Sequence, residues 1–182
     1  MRKNLKDKTT FVPMPVLILG TYDKDGKANA MNAAWGGVYD YNKVFVSLSK
    51  HKTTDNLELK RAFTISFATK KTEQIADYFG VVSGNKEDKI AKAKVHVTKS
   101  KFVDAPIIEE FPLCLECKVE SFEDGVLIGE VVNASVDEKF LDKDGNIDID
   151  KMELITFDTT SRTYRVLGKV VGQAFKDGLK LK

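Results

Sequence analysis

The segment "PVLILGTYDKDGKANAMN", Pro15 to Asn32, decides the fold. Two runs suited to strands flank a polar centre where Asp25-Gly26 supplies a turn, so the segment reads as an antiparallel hairpin turning around Lys24 to Lys27. Downstream, "KVFVSLS" and "AFTISFAT" are further strands; in the second, Phe63, Ile65 and Phe67 alternate with Thr64, Ser66 and Ala68, which places one face in a core. "GVLIGEVVNASVDE" is a long strand interrupted at Gly129, where a bend or bulge fits. Three short helical patterns intervene. "TTDNLELKR" opens with threonine and aspartate suited to an N-cap, "TEQIADYF" puts Ile75, Ala76 and Phe79 on one face, and "SGNKEDKIAKAK" offers Ser83 or Asn85 as its cap. Near the C-terminus "YRVLGKVVGQAF" shows three spaced features, Tyr164, Gly168 and Gly172, in place of a helix signal. Strands outnumber helices and do not alternate regularly with them. The predicted fold is therefore mainly β, a closed or nearly closed antiparallel barrel with short helices, in a single domain over 1–182.

The bulk composition agrees with a soluble globular chain: 182 residues, 42% apolar and 31% charged. A net charge of only +2 gives no field that argues for nucleic acid or an anionic membrane surface. The longest apolar run, "PVLILG", is far too short to span a bilayer, and "MRKNLKDKTT" lacks the apolar stretch of a signal peptide. A cytoplasmic protein is the expectation.

Cys114 and Cys117 form a C-x-x-C pair, but they lie in "LCLECKVE", whose alternation is that of a strand. Residues three apart on a strand point to opposite faces, so a redox disulfide is not expected. With no second cysteine pair or nearby histidine, neither is a zinc site. "DKDGNIDIDKME", Asp142 to Glu153, has calcium-loop acids, yet its sixth position is Ile147 where the sharp turn needs glycine. A solvated acidic turn is the better reading, and no metal is expected.

Nucleotide motifs of the P-loop and dinucleotide types are absent. "SLSKHKTT" instead sets hydroxyls and cations before a helix start, which suits a phosphate or, equally, a capped helix with a basic rim. "SGNKEDK" offers Ser83, Gly84 and Lys89 in a similar way. His51 and His96 have no patterned partner for catalysis. In "NAMNAAWGG", Asn29 to Gly37, small residues would let a planar group lie against the backbone while Asn29 and Asn32 bond its polar edge. The alternative is a tight loop around a core tryptophan, Trp35.

Taken in order, "PVLILGTYDKDGKANAMNAAW", "VFVSLSKHKTTDNL", "FTISFAT", "DYFGVVSGNKEDKI", "LIGEVV" and "YRVLGKVVG" resemble the flavin reductase-like, FMN-binding split-barrel family, and within it the flavoredoxin group. The S-G-x-x-x-D-K pattern followed by an apolar residue, met by Ser83 to Ile90, is the most specific element. The resemblance implies a homodimeric split barrel with one FMN per subunit near the subunit interface. It implies that Asn29, Asn32, Ala33, Ala34 and Trp35 approach the isoalloxazine edge, and that Ser49, Lys50, His51 and Thr53 hold the phosphate and ribityl chain. Ser83, Gly84 and Lys89 would surround the flavin, and Tyr164 matches an aromatic position near the ring. Relatives often carry a histidine before the strand matched by "LIGEVV"; here Asp124 and Gly125 stand in its place.

The implied function is an FMN-dependent oxidoreductase that moves electrons from NAD(P)H or a protein donor through FMN to an acceptor. Amides of the Asn32 to Trp35 loop and the Lys89 ammonium would stabilise negative charge on the reduced ring. A non-enzymatic FMN electron carrier without a nicotinamide site is the second reading. A flavin-free barrel serving as an interaction module is the third.

Overall fold

In the computed structural model, which describes residues 1–181, the strands in chain order are β1 (Met14–Pro15), β2 (Leu17–Tyr22), β3 (Ala28–Ala33), β4 (Gly36–Asp40), β5 (Lys43–Ser47), β6 (Ala62–Phe67), β7 (Val97–Lys99), β8 (Pro106–Ile108), β9 (Leu113–Glu123), β10 (Val126–Val136), β11 (Ile155–Asp158) and β12 (Thr163–Val166). Helices α1 (Lys52–Lys60), α2 (Glu73–Val81), α3 (Lys89–Ala93) and α4 (Ile149–Met152) lie between them. The expected hairpin is present, with Leu17 opposite Ala33 and Tyr22 opposite Ala28. At its turn Gly26 adopts φ 77°, and the Asp23 carboxylate accepts the N–H groups of Asp25 and Lys27. A residue without a side chain meets that backbone demand at no steric cost.

Seven strands form one antiparallel sheet in the order β3-β2-β6-β9-β10-β5-β4. Its two edge strands, β3 and β4, are consecutive in the chain and separated only by Ala34 and Trp35. The sheet therefore curls until its edges approach at that end, giving a split barrel whose seam is crossed by "NAMNAAWGG". The Trp35 carbonyl accepts the Ser47 N–H at 2.7 Å and so ties the crossing to β5. A Cβ on Gly36 would stand 2.8 Å from the Phe45 carbonyl and 2.9 Å from a Leu17 methyl. Because Leu17 belongs to β2 and Phe45 to β5, both sides of the seam close on this glycine, which accounts for part of the stretch's lack of bulk. A three-stranded sheet, β1-β11-β12, flanks the barrel, and β7 pairs with β8.

Leu17, Leu19, Val46, Phe63, Ile65, Cys117 and Leu127 fill the interior. On the outer face, Val16 and Ile18 pack with Ala76 and Phe79 of α2 and with Ile108, Phe111 and Ile155. Residues at both ends of "VLIL" are thus buried on opposite faces, which is why the run does not alternate with polar residues. Cys117 faces the barrel while Cys114 lies outside that cluster, and both thiols are free. Burial pushes Cys114 up to about 11 and Cys117 up to about 12, so neither supplies a thiolate near neutral pH.

Gly129 sits where the β9–β10 register shifts, as the bulge expectation required. A Cβ there would fall 2.3 Å from Cζ of the fully buried Phe63, so the ring occupies the space a side chain would need. Helix starts differ from expectation. α1 is capped by His51, whose N–H bonds the Thr54 hydroxyl at 3.0 Å while that hydroxyl donates to the His51 carbonyl at 2.7 Å. α3 is capped by Asp88, whose carboxylate accepts the Ala91 N–H at 3.1 Å, and Ser83 instead begins the preceding turn. In the acidic segment the Asp142 carboxylate accepts the N–H groups of Asp144 and Asn146, closing a turn at Gly145.

Candidate functional site

The end of β3, the seam and the β5–α1 connection form the floor of a cleft of about 850 Å³, within the usual range of roughly 300–1,000 Å³ for small-molecule sites. Asn32, Ala33 and Ala34 supply its base, with Ser47, Ser49 and His51 beside them. Gly80 and Val81, at the end of α2, form one wall. The rest of the lining comes from the N-terminal arm through Thr9 and Phe11, and from β11–β12 through Phe157, Arg162 and Tyr164. Trp35 stands at the rim with 58% of its surface exposed, so the only tryptophan is no core residue.

A second hollow of about 180 Å³ shares Met31, Asn32, His51, Gly80 and Val81 with the cleft and extends it into polar surroundings. Asn29, Thr53, Ser83, Gly84 and Lys89 line this annex. A Cβ on Gly84 would come 2.2 Å from the Asn29 Oδ1, so glycine is what allows this loop to press against β3. Every residue nominated from the sequence, Lys50 excepted, lines the cleft or the annex. Lys50 instead borders an adjoining depression, which meets the cleft at Leu48 and Ser49, with Asp55, Glu58 and Asp124. Its neighbour Lys52 reaches the annex and pairs with Asp23 at 3.0 Å.

The polar side chains are held in defined roles. Asn32 donates its amide to the Ala76 carbonyl at 2.9 Å, leaving its own carbonyl oxygen as an acceptor. Asn29 donates to the Thr53 Oγ1 at 2.9 Å, so that hydroxyl retains its proton for another acceptor. The Tyr164 hydroxyl donates to Asp77 at 2.8 Å. Burial, reinforced by that bond, pushes the phenol up to about 12, which keeps it neutral. Its oxygen can still accept a hydrogen bond from a ligand.

Lys89 dominates the electrostatics of the annex. It is only 5% exposed; its Nζ donates to the Phe79 carbonyl at 2.9 Å and lies 5.9 Å from the centre of that ring. Among the described residues no carboxylate pairs with it. The adjacent Asp88 is bound to Lys27 at 2.9 Å, a contact that holds its carboxyl below the usual range. Burial lowers Lys89 to about 8, so at neutral pH a mostly charged ammonium faces the annex with hydrogen-bonding capacity in reserve.

Asp77, Gly80, Phe11 and Arg162 border the cleft without having been nominated. Asp77 flanks the buried face of its helix, a signal that points to Ala76 and Phe79 before it points to a carboxylate. Arg162 lies in the β11–β12 turn with φ 54°, and no local sequence pattern brings that turn to the seam.

A model of the flavin reductase-like domain matches residues 9–158. The chain is similar to the flavoredoxin of Desulfovibrio vulgaris (Miyazaki F), with a TM-score of 0.94, 37% identity, and coverage of 98% of this chain and 100% of that one. It is similar to a flavoredoxin from Methanosarcina acetivorans, with a TM-score of 0.91, 30% identity and complete coverage of both chains. An uncharacterized protein of Archaeoglobus fulgidus is 29% identical over 131 residues, covering 68% of this chain and 72% of that protein.

Proposed function

Since the chain belongs to the flavin reductase-like domain family, we propose that its cleft and annex hold one FMN and that the protein is a cytoplasmic, homodimeric oxidoreductase. Its electrons come from NAD(P)H or a reduced protein and pass to a separate acceptor. The observation that carries this reading is the pairing of a broad, largely apolar cleft with a narrow polar annex containing an ammonium that has no internal counter-ion. A flat ring joined to a polar, anionic chain matches that division. The group is redox-active by its own chemistry, accepting hydride at N5 of its ring system.

The protein's tasks are to bind and orient. Ala33 and Ala34 keep the floor low, and Asn32 presents its oxygen at a fixed angle because its amide is anchored to Ala76. Thr53 and the first turn of α1 offer donors to a phosphate, with His51 and Lys52 beside them. Ser83, Gly84 and Lys89 close the annex, where the ammonium, holding its proton at Nζ, would face the anionic chain. Asn29 supports Thr53, Ser49 borders the floor, Trp35 flanks the open rim, and Tyr164 remains a neutral hydrogen-bond acceptor. Lys50 borders the adjoining depression, which meets the cleft at Leu48 and Ser49.

A second reading, an electron carrier with no nicotinamide site, is favoured by one observation. Asp124 and Gly125 stand where relatives often have a histidine, so any nicotinamide contact made by that ring is missing here. Anaerobic absorption spectra of the FMN-loaded protein separate the two. Bleaching by NADH or NADPH at a catalytic rate supports the reductase; bleaching only by dithionite or a reduced protein supports the carrier. Failure of the protein to retain or bind flavin would contradict both.

A further inference from the structure

The segment that joins β11 to β12 sets two arginines to different uses. The Asp158 carboxylate accepts the Thr160 N–H at 2.8 Å and its hydroxyl at 2.5 Å, the Ser161 N–H at 3.3 Å and the Arg165 Nε–H at 3.0 Å. These bonds fix the turn and commit Arg165 to it. Arg162 has no hydrogen-bond or carboxylate partner among the described residues, and it lines the cleft. It holds the only permanent positive charge in that lining. Asp77, the only carboxylate there, is engaged by the Tyr164 hydroxyl at 2.8 Å. The surroundings of Arg162 are aromatic. Phe157 and Tyr164 pack with ring centres 5.9 Å apart, and the Thr159 hydroxyl donates to the Phe11 carbonyl at 3.3 Å, which joins the N-terminal arm to the same turn. Phe11 lines the cleft with 67% of its surface exposed. None of these residues borders the annex. A flavin whose polar chain lies in the annex puts only its ring system in the cleft. The cleft volume of about 850 Å³ is near the top of the range of roughly 300–1,000 Å³ for a whole small-molecule site, so space remains on the aromatic side.

We propose that this side of the cleft is a subsite for a small planar organic acid, its flat body against Phe11 and Phe157 and its carboxylate on the Arg162 guanidinium. The guanidinium fork meets a carboxylate with two parallel hydrogen bonds, and aromatic side chains favour a flat apolar body. A molecule bound there lies beside the flavin ring. The inference therefore names a substrate class for the proposed oxidoreductase, and it rests on the flavin reading of the cleft and annex.

The test uses oxidised, FMN-loaded protein and reads binding as a shift in the visible flavin bands. Its probes are benzoate, a planar carboxylate with no readily reducible group, benzamide as the neutral counterpart, and NAD+ as an alternative anion. Benzoate should bind saturably and at least about tenfold more tightly than benzamide, and R162Q should weaken benzoate binding by at least about tenfold. The affinities of R162Q for FMN and NAD+ should match those of the unaltered protein. Arg162 is exposed and outside the core, so the variant should fold, and unchanged FMN binding verifies that it has. No benzoate binding, equal binding of benzoate and benzamide, or equal benzoate binding by R162Q and the unaltered protein would overturn the subsite while the flavin reading stands. Weaker NAD+ binding by R162Q with benzoate unaffected assigns Arg162 to a dinucleotide, and weaker FMN binding assigns it to the flavin; either overturns the subsite. Folded protein that binds no FMN overturns the flavin reading and the subsite together.

Discussion

Replacing Lys89 by methionine is expected to weaken FMN binding by about 10- to 100-fold at neutral pH, while leaving the flavin-free protein no less stable than before. The first effect is the loss of a charge-assisted hydrogen bond, about 1.5–3 kcal/mol. The second follows from the surroundings of Lys89: a buried ammonium with one carbonyl acceptor and no carboxylate disfavours the empty site, and an apolar side chain of similar length removes that burden. A lysine serving only the fold would behave differently, because its replacement would lower stability without a specific effect on flavin.

The pH dependence has a definite sign. Lys89 loses its proton near about 8 in the folded, flavin-free chain, against 10.5 for an unperturbed lysine. Between those values the unfolded chain binds more protons, so the stability of the flavin-free protein rises with pH through that window. Binding runs the other way. A bound anion raises the Lys89 pKa, so the FMN dissociation constant should increase as the pH rises above about 8, and this increase should vanish in K89M. Fluorescence titrations of both proteins on each side of that pH check the claim; parallel profiles would contradict it.

Replacing Glu116 by alanine is expected to destabilise the fold by about 2–5 kcal/mol. Glu116 projects from β9 and is 2% exposed. One oxygen accepts the Ser100 hydroxyl and the other accepts the Asn133 amide of β10 at 2.5 Å. Ser100 in turn accepts the N–H groups of Phe102 and Val103, each at 2.9 Å, so the carboxylate organises the loop that packs Val103 and Ala105 near Ala62. Removal leaves two donors without their acceptor, each costing about 1–3 kcal/mol when buried. Glutamine offers little rescue: its amide would face either the Asn133 donor or a Ser100 oxygen that already accepts two N–H groups. Urea unfolding of E116A and E116Q reads the effect as a shift in midpoint, and a loss below about 0.5 kcal/mol in both would contradict it.

The hairpin, the interior face of β6 and the Gly129 irregularity were legible in the sequence because each depends on alternation or a local turn. The seam was not, since the proximity of β3 and β4 depends on the accumulated curl of the whole sheet. The residues of "NAMNAAWGG" were therefore recognised as unusual before the reason for Gly36 could be seen. Caps were misplaced because several nearby residues suit the role by composition: α1 starts at His51, held through its backbone by Thr54, and α3 starts at Asp88, held by its carboxylate, where threonine and aspartate, or Ser83 and Asn85, looked as well suited. The Tyr164–Asp77 bond joins residues 87 apart in the chain, a distance no local pattern bridges.

The central claim is that the cleft and annex form one flavin site, with Lys89 as its internal cation. Its most direct measurement is an equilibrium titration of flavin-free protein with FMN, repeated with riboflavin and with K89M. Saturable binding of one FMN per chain, weaker binding of riboflavin and the stated loss in the variant are expected. Absence of saturable FMN binding to folded protein, or identical affinities in all three titrations, would contradict it.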